Sequence, residues 1–266
     1  MTTPSGQLAQ NAYDNNRPVA VTVNGTPVLD AAFYEPFGPN GGWRWGNSTP
    51  LKPNLHVRLF DADYRATSIA SSLPLASGAS AIAKSLAWDA ASRITTIQDA
   101  ANSALSATYG YDGLDRLISA VTGANSWGYG YDGVGNRLTS TAGAASTSYA
   151  YAPGSHRLQS LVGAQVKSYT FDAAGNMTSD GIANWTYGGS GRPTQVQSGA
   201  STTVLDINAL GQRVRKASGS GATRFFHDEA GRLIGEYADD GTLRTETIWL
   251  DDLPVAVVTA QTRQSG

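Results

Sequence analysis

Cysteine is absent from this chain of 266 residues, which excludes disulfides, thiolate metal sites and cysteine nucleophiles. Charged residues are scarce, at 15% of the chain with a formal net charge of −2, so we expect no nucleic-acid partner. No apolar run is long enough to span a bilayer, and the first residues lack the basic and apolar segments of a signal peptide. The sequence therefore predicts neither a membrane-spanning protein nor a nucleic-acid binder.

Glycine is abundant, with 30 residues, and much of it falls inside a tandem repeat. A copy consists of an aromatic residue, Asp, two variable residues, Gly, Arg or Asn and, directly or one residue later, an aliphatic residue, as in "YDGVGNRLTS" from Tyr131. The position after the aromatic residue falls at residues 61, 89, 112, 132, 152, 172, 188, 208 and 228. Successive intervals are 28, 23, 20, 20, 20, 16, 20 and 20 residues, and this phasing indicates a repeat protein.

Each repeat has the pattern of a β-hairpin. Aromatic residues two positions apart, such as Tyr109 and Tyr111, place both rings on one face of a strand. The D-x-x-G stretch that follows is typical of a four-residue turn, because Asp bonds turn amides and Gly accepts a left-handed backbone. Since one hairpin is marginal in water, we expect successive hairpins to pair into a continuous antiparallel sheet. The predicted fold class is all-β, a curved sheet of tandem hairpins.

The acidic residues of the repeat are expected to serve these turns, because they recur in many units, whereas catalysis needs a unique constellation. No H-x-x-H or H-E-x-x-H spacing and no G-x-S-x-G elbow occurs, so we expect no enzyme, no metal site and no cofactor. The predicted turn residues are Asp112, Asp132, Gly135, Asn136, Asp172, Gly175, Asn176, Gly211, Asp228, Gly231 and Arg232.

Three glycines, Gly128, Gly130 and Gly133, spell G-x-G-x-x-G, the spacing of a dinucleotide-binding turn. That site needs a helix that begins at the last glycine and an acidic residue about twenty positions further on. Here a turn and a strand are expected instead, and no acidic residue lies at 150–155. We interpret these glycines as part of a strand and its turn.

The repeat array is expected to span residues 59–250. Residues 1–58 are predicted to form an irregular segment with one diverged repeat, since Pro36 and Pro39 limit regular strand pairing. Residues 251–266 are expected to form a last strand and a tail. No segment has a convincing amphipathic helix period, and residues 76–87 are interpreted as an insertion or irregular loop.

The phased units resemble the YD repeat of the Rhs family, which includes bacterial Rhs polymorphic toxins, the C component of insecticidal Tc toxin complexes and animal teneurins. The resemblance spans roughly residues 33–250 and is carried by units such as Tyr131, Asp132, Gly135, Asn136 and Leu138. Three units depart from it, because the Asp of the repeat is replaced by Ala152, Gly188 and Asn208. The resemblance implies a spiralling β-sheet that closes into a shell around a toxin domain.

For this chain the resemblance implies a non-enzymatic shell segment, an open arc of a longer protein. No D-P-x-G-L-x-G segment is present, so we expect no self-cleavage. The expected partners are flanking Rhs repeats or an enclosed toxin domain, and the expected localisation is secreted or cell-surface delivered, without a classical signal peptide in this chain.

Two other functions are open. A glycan- or receptor-binding surface is the alternative, with Trp43 and Trp45 as the expected exposed pair, because they lie outside the repeat phase. The remaining aromatic residues are interpreted as cross-strand ladders that hold the sheet together. A hydrolase is the third hypothesis, although no isolated pair of carboxylates stands out.

Overall fold

The computed structural model describes residues 2–46, 48, 54–71 and 82–259, and these residues fold into two antiparallel sheets. The strands of the first sheet are β1 (Ala9–Asp14), β2 (Arg17–Val23), β3 (Thr26–Tyr34), β4 (Asn40–Trp45), β5 (Leu55–Phe60), β6 (Ala66–Ser71), β7 (Ile82–Trp88), β8 (Ile94–Asp99), β9 (Ala107–Tyr111), β10 (Leu117–Thr122), β11 (Asn125–Tyr131), β12 (Arg137–Ala142), β13 (Ala145–Tyr151), β14 (Leu158–Gly163) and β15 (Lys167–Ser168).

The strands of the second sheet are β16 (Thr170–Phe171), β17 (Met177–Ser179), β18 (Ala183–Tyr187), β19 (Pro193–Ser198), β20 (Ser201–Ile207), β21 (Arg213–Ser218), β22 (Gly221–His227), β23 (Leu233–Ala238), β24 (Leu243–Leu250) and β25 (Leu253–Thr259). In both sheets the strands lie in sequence order, so each inner strand has its sequence neighbours on either side. A 3-10 turn at Ser103–Leu105 is the only helical element of the described residues. The predicted all-β fold of tandem hairpins is confirmed.

Five-residue and two-residue connections alternate along the repeats. Asp112 to Arg116 join β9 to β10, whereas Gly123 and Ala124 join β10 to β11. In the longer connection the Asp112 N–H donates to the Arg116 carbonyl at 3.0 Å, and the Asp115 N–H donates to the Asp112 carbonyl at 3.1 Å. A four-residue turn is predicted, but the connection has five residues. The fifth residue, Arg116, accepts the Asp112 N–H before β10 begins.

The most deeply buried aliphatic side chains lie in β2, β3 and β24. Val21 and Leu29 are fully buried, and Ile248 and Leu250 are nearly so. Burial of one such side chain contributes about 1.5–3 kcal/mol. The intervening repeats bury mainly small side chains such as Ala120, so their stability depends more on polar contacts between neighbouring strands.

Residues 9–45 are more regular than expected, since they form the paired strands β1 to β4. Pro36 and Pro39 lie in the connection between β3 and β4, where no N–H is needed for a strand ladder. Residues 82–87 belong to β7, so the irregular-loop interpretation is wrong for them. Residues 76–81 lie outside the described residues.

The chain divides into two compact units. One consists of Gln10–Tyr149 and Val162–Gln165, and the other of Met1–Ala9, Ala150–Leu161 and Val166–Gly266. The residues before β1 therefore belong to the same unit as the second sheet. The boundaries predicted at residues 59 and 251 stay a prediction.

Candidate functional site

An Asp side chain organises most of the five-residue turns. After β9, Asp112 Oδ1 accepts the backbone N–H groups of Leu114 and Arg116 at 2.9 and 3.0 Å. Asp112 Oδ2 accepts the Nε–H of Arg116 at 2.7 Å. The same three contacts recur at Asp61 and Asp89. One carboxylate thus accepts hydrogen bonds from two turn amides and holds the side chain of the fifth turn residue in place.

The first and fifth turn residues form matched donor and acceptor pairs even where their identities change. Asn136 replaces arginine and donates from Nδ2 to Asp132 Oδ2 at 2.7 Å. In the most altered pair, Asn208 Oδ1 accepts the Gln212 backbone N–H at 3.0 Å, and Asn208 Nδ2 donates to Gln212 Oε1 at 2.7 Å. The pair is therefore conserved in hydrogen-bonding function between these repeats rather than in residue type.

The fourth turn residue has a left-handed backbone, with φ of 94° at Gly135 and 83° at Gly231. Asp115 and Ser92 hold the same position at 63° and 61°, so glycine is favoured there but not obligatory. The structure places all of the predicted turn residues in turns of this type, namely Asp112, Asp132, Gly135, Asn136, Asp172, Gly175, Asn176, Gly211, Asp228, Gly231 and Arg232.

Repeats that lack the Asp keep the backbone turn. The Gly188 N–H donates to the Arg192 carbonyl at 2.9 Å, as in the other turns. At Ala152 the connection is one residue longer, and the Ala152 N–H donates to the Arg157 carbonyl at 2.9 Å. The carboxylate therefore stabilises the turn but is not required to create it.

At least five arginines of the described residues extend from one turn to the next. Each donates from Nη1 to a backbone carbonyl of the next connection at the same edge of the sheet. We call these residues the bridging arginines: Arg65, Arg93, Arg116, Arg192 and Arg232. Arg116, for example, reaches the Asp132 carbonyl at 2.7 Å. Its guanidinium carbon also lies 4.8 Å from the centroid of the Tyr131 ring, a cation–π contact. Sequence analysis missed this role, although an arginine four residues after Asp in several units was a visible signal.

The aromatic residue before each turn makes a contact in the opposite direction. Tyr111 donates its O–H to the Ile94 carbonyl at 2.8 Å, and Tyr131 donates to the Leu117 carbonyl at 2.8 Å. The same type of bond to the first strand residue after the preceding turn is made by Trp88, Tyr187 and Trp249. Neighbouring repeats are thus joined twice at this edge. An arginine donates to the turn of the next repeat, and an aromatic side chain donates to the strand that follows the preceding turn.

The expected cross-strand aromatic ladders are wrong for the repeats in which Tyr111 lies opposite Leu117 and Tyr131 opposite Arg137. Ring contacts in the structure include Trp43–Trp45 and Phe226–Tyr237, and Trp43–His56 joins β4 of one hairpin to β5 of the next. Rings of successive repeats are two strands apart, which is about 10 Å and too far for direct stacking. An arginine from the earlier repeat occupies that space instead.

The contacts lower the pKa of the turn carboxyl groups. The Arg116 backbone N–H, supported by its guanidinium, holds the pKa of Asp112 below the usual value, and Arg93 does the same for Asp89. These carboxylates are therefore ionised and fully occupied with donors at neutral pH. A general acid needs a raised pKa, so the turns do not have the electrostatics of an acid catalyst.

Trp43 is buried, with 5% of its surface exposed, so the expectation of an exposed tryptophan pair is wrong for this residue. Its ring stacks on His56 with centroids 4.2 Å apart and meets the edge of Trp45 at 5.3 Å. Trp43 and His56 are cross-strand partners on β4 and β5, which explains the burial. Burial, with a smaller effect of Arg58, lowers the pKa of His56 to about 4.

Other chemistry has little support in the described part of the chain. No group of three His, Asp or Glu side chains there could hold a metal ion, and no helix there is both long and apolar enough to cross a membrane. A shallow cleft of about 360 Å³ on the second sheet is lined by residues that include Arg215, Arg224 and Phe226. Both arginines pair with Asp239, at 3.0 and 2.8 Å, and Arg215 also lies 3.5 Å from Asp206, so two carboxylates offset their two charges.

Hairpins in sequence order, Asp-centred turns and inter-repeat arginines define a YD-repeat sheet protein. The family model described as teneurin YD-shell matches residues 75–245, and the chain therefore belongs to that family. A search of curated protein sequences found no match.

Solved Tc toxin structures share the fold. A Photorhabdus luminescens Tc holotoxin pore matches with a TM-score of 0.51 at 14% identity, over 92% of this chain and 16% of the other. The TcdB2–TccC3 complex matches with a TM-score of 0.52 at 14% identity, over 92% and 17%. The same complex without its hypervariable C-terminal region matches with a TM-score of 0.51 at 14% identity, again over 92% and 17%. This chain thus spans about a sixth of the length of each solved chain.

Proposed function

We propose that this chain is a non-enzymatic wall segment of a Rhs-type shell that encloses or presents a partner. Membership of the YD-shell family and the structural likeness to Tc toxin chains support a structural role. The bridging arginines, and the aromatic side chains that donate to the preceding repeat, support it physically, because they join each hairpin to the next by hydrogen bonds. The proposed partners are flanking repeats and an enclosed toxin domain of a longer protein.

The observation that carries the proposal is a set of exposed apolar side chains at one position of the repeat. Leu114, Val134 and Leu210 are 67%, 71% and 81% exposed and share the third position of their turns. Exposed apolar side chains that recur with a repeat indicate a surface that a partner covers.

The absence of catalysis is part of the same proposal. Its support is that the turn carboxylates are bonded to turn amides and arginines rather than facing a common cleft. We also propose secreted or cell-surface delivery.

Limited proteolysis of the full-length encoded protein tests the shell function. We expect a segment outside the repeats to resist protease in the wild type and to become cleavable when Arg93→Ala and Arg116→Ala remove two inter-repeat contacts. The matched control is Arg44→Ala, which removes an exposed ion pair with Asp30 inside one hairpin. Equal cleavage of every segment in wild type and variants would contradict enclosure.

Glycan binding remains the alternative and now rests on Trp45. This residue is half-buried, and its Nε1 lies 3.4 Å from Ser71 Oγ, so only part of its ring is available to a sugar. A glycan array with wild type and Trp45→Ala tests the hypothesis. Binding by the wild type that is lost in the variant would support it, and no binding by the wild type would reject it.

A further inference from the structure

Glu246 is a carboxylate buried without an ion-pair partner among the described residues. It lies on β24, has no exposed surface, and is the cross-strand partner of Gly235 on β23. Its hydrogen-bond donors are instead uncharged, and they include the Tyr237 hydroxyl. An isolated buried carboxylate is strongly unfavourable unless donors saturate its oxygens, so each of these donors is energetically important.

Two further donors come from one residue 241 positions away in the sequence. The Ser5 backbone N–H donates to Glu246 Oε1 at 3.0 Å, and the Ser5 hydroxyl donates to Glu246 Oε2 at 2.7 Å. Both residues belong to the same compact unit. A serine or threonine supplies N–H and O–H together, so the two carboxylate oxygens are matched to this type of residue.

Ser5 is presented by a small turn that holds its own shape. The Gly6 N–H donates to the Thr3 carbonyl at 2.9 Å, and the Gln7 N–H donates to Thr3 Oγ1 at 3.1 Å. Gly6 has φ of 85°, which closes the turn. Thr3, whose side chain also contacts Glu246, is buried, whereas Pro4, Ser5 and Gly6 are exposed. Glu246 therefore contacts two residues of the turn through polar groups.

The residues around Glu246 position the Tyr237 hydroxyl beside its carboxylate. A Cβ atom at Gly235 would lie 2.7 Å from Tyr237 Cε2, so the glycine makes room for the tyrosine ring beside Glu246. The ring is also held edge-on by Phe226, with centroids 5.2 Å apart. Gly235, Phe226 and Tyr237 together fix the hydroxyl that completes the carboxylate's shell of donors.

We propose that Glu246 and Tyr237 form a recognition site for a serine-containing turn, occupied by residues 3–6 of the same chain. The contact is a latch that holds residues 2–8 against the second sheet. It opens without unfolding the strands around it, because the turn keeps its internal hydrogen bonds when it leaves Glu246. This inference is independent of the shell function.

Hydrogen exchange of the full chain, read by mass spectrometry, tests the latch. We expect Ser5→Ala to accelerate exchange of the amides of Thr3 and of residues 5–7 about tenfold or more, and to leave the amides of β24 unchanged. Ser5→Thr keeps both donors and should exchange like the wild type. Ser220→Ala is the matched control, since Ser220 lies in an exposed turn and bonds only locally to Ser218.

The double variant Ser5→Ala/Glu246→Gln separates recognition from general destabilisation. Two residues that act as one contact are not additive, so the double variant should exchange no faster at residues 3–7 than the faster single variant. The proposal is overturned if Ser5→Ala exchanges like the wild type at residues 3–7, or if the two accelerations multiply. The Ser5 variants remain decisive even if Glu246→Gln impairs folding.

Discussion

Single residues in this protein act mainly as hydrogen-bonding pairs, and the chemistry of each pair determines which substitutions it tolerates. Asp112 faces an arginine, which carries only donors, whereas Asp132 faces Asn136, whose amide carries a donor and an acceptor. The same replacement of Asp by Asn should therefore have different consequences in two adjacent turns.

We expect Asp112→Asn to lower the urea midpoint clearly and Asp132→Asn to lower it much less. In the first variant a new N–H group faces the Arg116 Nε–H and both lack an acceptor, whereas in the second the Asn136 amide can rotate to present its oxygen. The measurement is equilibrium urea unfolding with the m-value checked for constancy. Equal midpoints for the two variants would show that the pairs do not determine turn stability.

The buried imidazole of His56 should make stability depend on pH. The pKa of His56 is about 4 in the folded protein and about 6.5 when unfolded, so the unfolded state binds more protons between these values. The contribution is complete above pH 6.5 and is lost as the pH falls toward 4, by up to roughly 3 kcal/mol. His56→Phe should reduce the loss of stability between pH 7 and pH 5.

His227→Phe is the matched substitution, because His227 occupies a position where other repeats carry an aromatic residue. Urea unfolding at pH 7 and pH 5 measures the pH dependence of stability in the wild type and in both variants. A pH dependence of the same size in His56→Phe would show that another group is responsible.

At the scale of the hairpin, two glycine substitutions separate the stability cost of a left-handed backbone from the cost of a steric clash. Gly135 has φ of 94° and an added Cβ would meet no atom within 4 Å, whereas Gly113 is equally open without a positive φ. Gly135→Ala should cost about 1–2 kcal/mol from its left-handed backbone. Gly113→Ala should change stability by less than about 0.5 kcal/mol. Thermal or urea unfolding of both variants measures the difference, and similar costs would contradict it.

The hairpins were predictable from the sequence because their signals are local. Ring spacing and the D-x-x-G stretch lie within about ten residues, and the repeat period confirms each copy by the next. The bridge from Arg116 to the Asp132 carbonyl was not predictable, because it depends on how far apart neighbouring hairpins lie. Burial of Trp43 depends likewise on its partner His56, and the contact between Ser5 and Glu246 spans most of the chain.

Across the whole molecule, contacts run mainly between elements that are neighbours in the sequence. Both sheets keep their strands in chain order, and the bridging arginines reach only the following connection. Stability in such an array is approximately the sum of the repeats and their nearest-neighbour interfaces. A lesion at one interface should therefore remain local, unlike a lesion in the single core of a globular domain.

We expect Arg116→Ala to accelerate hydrogen exchange in β9 to β12 and to leave β22 to β24 unchanged. The variant removes the bond to Asp112 within its own turn, and also the bond to the Asp132 carbonyl and the contact on the Tyr131 ring, both of which lie between two adjacent hairpins. Arg44→Ala is the control and should act only near β3 and β4, where its partner Asp30 lies. Acceleration of similar size in every strand would mean that the chain unfolds as one cooperative unit, contrary to the nearest-neighbour description.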